Sequence, residues 1–418
     1  MRKYFGPARD TLAVNSMITP AEIHAARKTI GDSVFLSPCA YSETFSRLTG
    51  NRIFFKLENL QMTGSFKERG AANKLLSLTP EQGQRGVIAA SAGNHAQGVA
   101  YHATRLGIRS KICMPIGTPL IKISATKHYG AEVILVGNNF DEACEEAERL
   151  CKAENLTFVH AFDDDAVIAG QGTVGLELLE QEPDLEAIVV PVGGGGLIGG
   201  IACAVKEVKP GIKIVGVQTS RIPSMQAALA AHAPVTLPPA ATIGDGIAVR
   251  RAGDRTLPLI AKYVDEIVTV DEEEIANAIL LLLEREKTVA EGAGAAGVAA
   301  LLNHKTSLAG KRTAVVISGG NIDVNFLSRI IERGLVKDGR LIRLRLRTPD
   351  QPAALYKVLG LIAERRANIM NIVHDRSHYG VPLGESAIEL TLETRGREHA
   401  DEIVAALRGS GYAIEQVA

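Results

Sequence analysis

The run Thr63-Gly64-Ser65-Phe66-Lys67-Glu68-Arg69-Gly70 follows a β-rich stretch, Ile53–Leu57, and the spacing predicts a helix beginning near Lys67. A cation at a helix N-terminus opposes the helix dipole, which disfavours the ammonium form and lowers the lysine pKa. A neutral amine is what Schiff-base chemistry needs. Taken alone, the motif more readily describes a solvated surface lysine, the usual fate of lysines.

A second run, Ser91-Ala92-Gly93-Asn94-His95-Ala96-Gln97-Gly98, follows the apolar strand Val87–Ala90 and opens a helix to about Leu106. Small residues let a ligand approach the backbone, and the free N–H groups of a helix start suit a carboxylate. Asn94 adds an amide that donates or accepts. The plain alternative is helix capping by Asn94 and a satisfied core histidine at His95. The third run, Val192-Gly193-Gly194-Gly195-Gly196-Leu197-Ile198-Gly199-Gly200, again lies between a strand and a helix. Its consecutive amides form a nest for a phosphate, or simply a tight turn. Gly194-x-Gly196-x-x-Gly199 matches the dinucleotide fingerprint, but the next strand ends at Val217-Gln218-Thr219 without the acid that would hold a ribose. A phosphate monoester is therefore the better ligand. In the fourth run, Val315-Val316-Ile317-Ser318-Gly319-Gly320-Asn321, Ser318 offers a hydroxyl at a strand's carboxyl end, where a capping serine is the default. Walker A, His-Glu-x-x-His and zinc-type cysteine patterns are absent, and no metal site is expected.

These runs need a framework. Thr19, Pro20 and Glu22 spell a capping box at a helix start, and Gly31 its stop. Beyond it, β-rich runs (Ile53–Leu57, Val87–Ala90, Lys111–Met114, Glu132–Val136, Ala187–Val192, Lys213–Gln218 and Thr313–Ser318) alternate with helical stretches such as Asp141–Glu154 and Glu272–Glu286. Several are apolar throughout, as strands buried on both faces must be. The expectation is an α/β fold of one or two mostly parallel sheets covered by helices, with ligands at the carboxyl ends of strands. Near residue 335 the pattern changes. Lys337–Arg340 reads as a linker, and Leu341–Arg347 alternates apolar and basic residues as a half-buried strand does. A helix to about Arg366, strands near Asn368–Arg376 and Ser386–Thr394, a helix at Glu398–Arg408 and a strand at Tyr412–Val417 complete a ferredoxin-like βαββαβ unit.

Composition narrows the function. With 46 basic against 47 acidic residues, the net charge is −1, which lacks the electrostatic footprint of a nucleic-acid binder. The uncharged run Ile188–Val205 contains Pro191 and six glycines, a composition unsuited to a lipid-facing helix. Five cysteines without a Cys-x-x-Cys read as free thiols in a reducing compartment. The first residues, Met1 to Pro7, lack the apolar stretch of a signal peptide. A cytoplasmic location is the expectation.

Together and in this order, the motifs resemble the fold type II pyridoxal-phosphate enzymes, and most closely the threonine dehydratases (threonine ammonia-lyases) with one C-terminal ACT domain. Asp245-Gly246-Ile247-Ala248 and Glu291-Gly292-Ala293-Gly294 match later blocks of that family. The resemblance implies pyridoxal 5'-phosphate as cofactor, joined to Lys67, with Phe66 beside the pyridine ring, Asn94 on the ring hydroxyl, Gly193, Gly194, Gly195, Gly196 and Leu197 around the phosphate, and Ser318 facing the ring nitrogen. It implies a substrate carboxylate bound by Ser91, Ala92, Gly93, Asn94 and His95. The implied reaction is β-elimination of water from L-threonine, giving 2-oxobutanoate and ammonia, with L-serine giving pyruvate. A serine at the ring nitrogen, unlike a carboxylate, does not hold it protonated, which favours elimination over transamination.

By the same resemblance, a catalytic region spans residues 1–335, with a small subdomain at about 51–154 set into a larger one at about 1–50 and 155–335. A linker (336–340) leads to an ACT domain (341–418). Isoleucine or valine would bind there at Asp350, Pro352, Ala353, Leu355 and Asn368, and the chain would form a dimer or tetramer. Leu341–Arg347 is expected as an exposed edge strand that pairs subunits. Three positions depart from the family. Serine racemases carry a second serine where this chain has Ala92, which argues against racemisation. Gln218 replaces an acidic residue that helps to bind a cation in relatives, so no tight divalent site is expected. Ala353 stands where the ACT turn carries glycine, which leaves regulation and mere assembly both open. Elimination from 3-hydroxyaspartate or another β-substituted amino acid, and an amino-acid sensor with a decayed catalytic half, are the competing functions.

Overall fold

The computed structural model describes residues 17–377 and 380–416. The first seven residues and Val417, read above, lie outside them. Contacts divide the chain into one unit ending at Ile322 and another beginning at Asp323.

In chain order the strands are β1 (Cys39–Ser42), β2 (Arg52–Leu57), β3 (Val87–Ala90), β4 (Ser110–Met114), β5 (Glu132–Leu135), β6 (Thr157–Phe158), β7 (Ala187–Pro191), β8 (Lys213–Thr219), β9 (Glu266–Val270), β10 (Arg312–Ile317), β11 (Leu341–Pro349), β12 (Asn368–Asp375), β13 (Glu385–Glu393) and β14 (Ile414–Gln416). The first unit holds two sheets. The larger runs β1-β2-β10-β7-β8-β9, and the smaller runs β5-β4-β3-β6. All neighbours are parallel except β1 and β2.

Burial explains the runs. Every residue of β3 and β7 is buried, so these strands are apolar throughout, as covered parallel strands require. Ile188, Val190, Ile198, Ile201 and Val316 share the core of the large sheet. Val87, Ala89, Val99 and Ile112 share that of the small one. The helix Pro20–Ile30 starts in the expected capping box, with Gly31 at φ 41 as its C-cap.

The subdomain boundaries shift. β2 belongs to the large sheet, so the small one cannot begin at residue 51, and β6 extends it past 154. The cause is lateral pairing, since β2 lies along β10 from Arg52↔Arg312 to Leu57↔Ile317.

In the second unit, β11, β12, β13 and β14 form an antiparallel sheet in the order β12-β13-β11-β14, the arrangement of a ferredoxin-like βαββαβ unit. Two expectations are corrected here. First, β11 is not an edge strand, because it pairs with β13 along its whole length and with β14 at Leu344–Leu346. Alternation along a strand reports its faces, not its neighbours. Second, Lys337 is not in a linker. It closes the helix Val324–Lys337, which belongs to this unit: Glu332 pairs with Arg343 and the Lys337 carbonyl accepts from Arg397 at 2.7 Å.

The residues expected at an effector site do not form one cluster within the chain. Asp350, Pro352 and Ala353 follow the end of β11, and Leu355 lies in the helix Ala354–Glu364. Asn368 opens β12 opposite Glu393, which pairs with Leu341 at the start of β11. It therefore lies at the other end of the sheet.

Candidate active site

The lysine turn is stitched to the end of β10. The Phe66 N–H donates to the Ser318 carbonyl at 3.0 Å, and the Gly320 N–H donates to the Gly64 carbonyl at 2.9 Å. Lys67 then begins the helix Lys67–Leu76. The helix is anchored by Arg69, whose guanidinium forms a two-pronged bond to Glu58, with both contacts at 2.7 Å, and reaches Glu177 at 2.6 Å. Lys56 meets the other Glu177 oxygen at 2.6 Å. All four charged groups are buried. Planar two-pronged pairing of this kind fixes orientation as well as charge.

The Lys67 amine donates to the Ala161 carbonyl at 2.7 Å. Burial pulls its pKa from 10.5 down to about 8, against the opposing charge of Glu291. Withdrawal from water is thus the first cause of the shift expected here from the helix end alone. Phe66 lies beside the amine, with its ring centre 5.2 Å from Nζ.

The glycine loop follows β7 and opens the helix Gly196–Lys206, whose N-cap, Gly195, has φ 97 and no side-chain cap. The first amides of that helix have no intrahelical partner. Its shape is fixed from outside: Thr256 donates to the Gly194 carbonyl at 2.6 Å, and a methyl on Gly194 would stand 2.4 Å from the Phe162 ring.

Ser91 leaves β3 and caps the turn, its hydroxyl accepting from the Gly93 N–H at 3.2 Å. Ala92 and Gly93 lead into the helix Asn94–Arg105, which has no side-chain N-cap. Asn94 donates to Glu291 at 2.7 Å and accepts from Asn321 at 2.8 Å. His95 points elsewhere. It is buried with Nε2 against the Val159 carbonyl at 2.8 Å, and burial and then the Lys67 charge push its pKa down to about 3. It is a neutral core histidine. Glu291 is buried too, and burial and then the Asp245 carboxylate push it up to about 7.

The lysine turn and Asn94 therefore both meet the segment that follows β10. The glycine loop joins them through His160-Ala161-Phe162, which touches the lysine at Ala161 and the loop at Phe162. Sequence reading did not single out this segment, because β6, the strand before it, has only two residues. Glu291 and Asn321 stood in quoted motifs without a role. The Gln218 side-chain oxygen Oε1 accepts from the Met225 and Gln226 N–H groups at 3.1 Å each, in the first turn of the helix Ser224–Ala231. Among the described residues no group of three His, Cys, Asp or Glu side chains is arranged for a metal.

A family model for pyridoxal-phosphate dependent enzymes matches residues 30–319. The chain belongs to that family. It is 52% identical to an L-threonine ammonia-lyase of Thermotoga maritima, over 96% of this chain and all of that one. Among solved structures, the processed form of threonine deaminase isoform 2 from Solanum lycopersicum superposes with a TM-score of 0.71 at 36% identity, covering 77% of this chain and 96% of that one. Maize serine racemase gives 0.72 at 34%, covering 77% and 99%.

The donor set fits the cofactor of this family of pyridoxal-phosphate enzymes. An amine at about 8 is partly neutral near physiological pH, as condensation with an aldehyde requires. A glycine cradle that a methyl group would fill, at an uncapped helix start, suits a phosphate. Among the described residues, no helix is long and apolar enough to cross a membrane.

Proposed function

We propose that the chain is a threonine ammonia-lyase that converts L-threonine to 2-oxobutanoate and ammonia, with L-serine as a second substrate. The observation that carries this reading is the 52% identity along the full length of an L-threonine ammonia-lyase, in a chain whose amine, amide and glycine loop converge. Lys67 would hold pyridoxal phosphate, with Phe66 beside the ring, Asn94 at its hydroxyl, Gly193–Leu197 at its phosphate and Ser318 at its nitrogen. When bound, that group supplies an electron sink for charge that develops at the substrate α-carbon.

The protein's own residues do the rest. The helix start at Ser91–Asn94 receives the substrate carboxylate with N–H groups. Lys67 Nζ, neutral once displaced, takes the α-proton as general base. Ser318 would present an uncharged hydroxyl to the ring nitrogen and would not hold it protonated, which favours loss of the β-hydroxyl as water, balanced by the proton taken from the α-carbon, over storage of the charge. The water lost from the β-carbon returns when the released imine hydrolyses to 2-oxo acid and ammonia.

Ala92 favours elimination over the racemase reaction named for the maize structure, because it offers no hydroxyl for a proton on the opposite face. The second unit is read as an ACT domain, in a homo-oligomer of the cytoplasm. If Asp350–Leu355 and Asn368 share a ligand such as isoleucine or valine, a second copy must supply one end of the site.

The test is 2-oxo acid release by the pyridoxal-phosphate-loaded protein from L-threonine, L-serine and 3-hydroxyaspartate, each with and without isoleucine and valine. Turnover of threonine is expected to exceed that of the other two. Preferred turnover of 3-hydroxyaspartate would replace the reading, silence on all three by the loaded protein would redirect it to β-replacement or another substrate, and failure to bind pyridoxal phosphate would favour the sensor.

A further inference from the structure

Asn321 and Glu291 have no part in the reaction as set out above, yet both touch Asn94. They belong to a hydrogen-bond chain whose direction is determined. The Thr63 carbonyl can only accept, so the Asn321 atom that meets it at 2.7 Å is Nδ2. The same nitrogen lies 2.8 Å from Asn94, which must therefore present Oδ1. Asn94 then turns Nδ2 toward Glu291 Oε1 at 2.7 Å. A backbone carbonyl thus decides which way an amide faces two links away.

The surroundings are cut to this chain. A methyl on Gly319 would lie 2.5 Å from Glu291 Oε1 and 3.1 Å from Asn94 Nδ2, and one on Gly64 would lie 2.5 Å from Asn321 Oδ1. Glu291 is the N-cap of the helix Gly292–Leu302, but its side chain does not cap it. The carboxylate is spent on Asn94 instead. Burying a carboxylate is costly unless it is bonded, and its bonded partner here is an amide with a second hydrogen left over.

We propose that Asn321 and Glu291 are positioning residues that lock the Asn94 amide in one orientation and so aim its remaining N–H at the cofactor's ring hydroxyl. This rests on the placement of Asn94 given under Proposed function. In Asn321→Asp the carboxylate can only accept, which turns Asn94 round and sets its Oδ1 against Glu291. Adding Glu291→Gln supplies an N–H for that oxygen, so the double variant mends the links on both sides of a reversed Asn94 and leaves the Thr63 carbonyl without its donor.

The experiment measures two quantities for each variant: the pyridoxal phosphate dissociation constant, from visible absorbance, and the thermal midpoint of the apoprotein. Asn321→Asp is expected to lower the midpoint and weaken cofactor binding about tenfold, the value of one good hydrogen bond. The double variant is expected to regain part of the midpoint but none of the affinity, a split that a purely structural chain would not produce. Equal recovery of both, or wild-type affinity in Asn321→Asp, overturns the proposal. If Asn321→Asp does not fold, Glu291→Ala and Glu291→Gln decide. Alanine should weaken binding about tenfold and glutamine, which keeps an acceptor, should recover most of it; no loss in alanine overturns the proposal. Failure of the wild-type protein itself to develop the absorbance would instead remove the reading of Asn94 on which the proposal rests.

Discussion

Lys67 Nζ rests 2.7 Å from the carbonyl oxygen of Ala161. The bond gives the amine a fixed address, and burial brings its pKa down to about 8. The neutral form attacks an aldehyde, so cofactor capture by the apoprotein should rise with pH and level off once Lys67 is deprotonated. Stopped-flow absorbance after mixing with pyridoxal phosphate should show a rise of about tenfold per pH unit below 8 and a plateau above it. A rate still climbing at pH 10 would mean an amine with an ordinary pKa.

Phe162 forms one wall of the glycine loop. The Gly194→Ala methyl would stand 2.4 Å from its ring, and a rigid aromatic cannot yield as the end of a flexible chain does. Overpacking of this kind costs about 1–3 kcal/mol. We expect Gly194→Ala to weaken pyridoxal phosphate binding about tenfold or more, and Phe162→Leu in the same chain to restore part of it. Equilibrium titration of both variants checks the pair.

Arg69 lies between Glu58 and Glu177 with no access to water. Arg69→Met leaves two buried carboxylates with only Ser37, Gln61 and Lys56 as side-chain partners. Removing one partner from a buried pair costs about 3–5 kcal/mol, and denaturant unfolding should show a loss of that size. Loss of less than about 1 kcal/mol would mean that the carboxylates take up protons at little cost.

Ala353 has φ 67 and caps the helix Ala354–Glu364. An L-residue with a side chain is disfavoured in this left-handed region by about 1–2 kcal/mol, and glycine is not. Ala353→Gly should therefore stabilise the second unit by about 1 kcal/mol, visible as a higher midpoint for that transition. If isoleucine or valine binds at this turn, the same variant should bind it more tightly.

How much of this was legible depended on whether the signal was local. Val87–Ala90 and the strand ending at Ile317 stood out because strands covered on both faces are continuously apolar. The motifs around Lys67, Asn94 and Gly193–Leu197 were legible because glycine-rich turns between a strand and a helix are compact in sequence. Thr157–Phe158 was missed, since two residues carry no periodicity. The Asn94–Glu291 and Asn321–Thr63 bonds join residues 197 and 258 positions apart. Their types were plain in the sequence, but only the sheet order brings them together. The same limit applied to β11, whose faces could be read and whose neighbours could not.

The chain enters the small sheet once, between β2 and β3, and leaves it once, between β6 and β7. Lys67 lies on the first passage and Ala161 on the second. Two covalent crossings define a hinge line, and points on a hinge travel least when its leaves turn. The Lys67 amine and the carbonyl that holds it thus sit where such a pivot would lie, while the turn at Ser91–Asn94, proposed to receive the carboxylate, would ride on the turning leaf. Opening such a cleft would admit or release an amino acid without carrying the nucleophile away from its place.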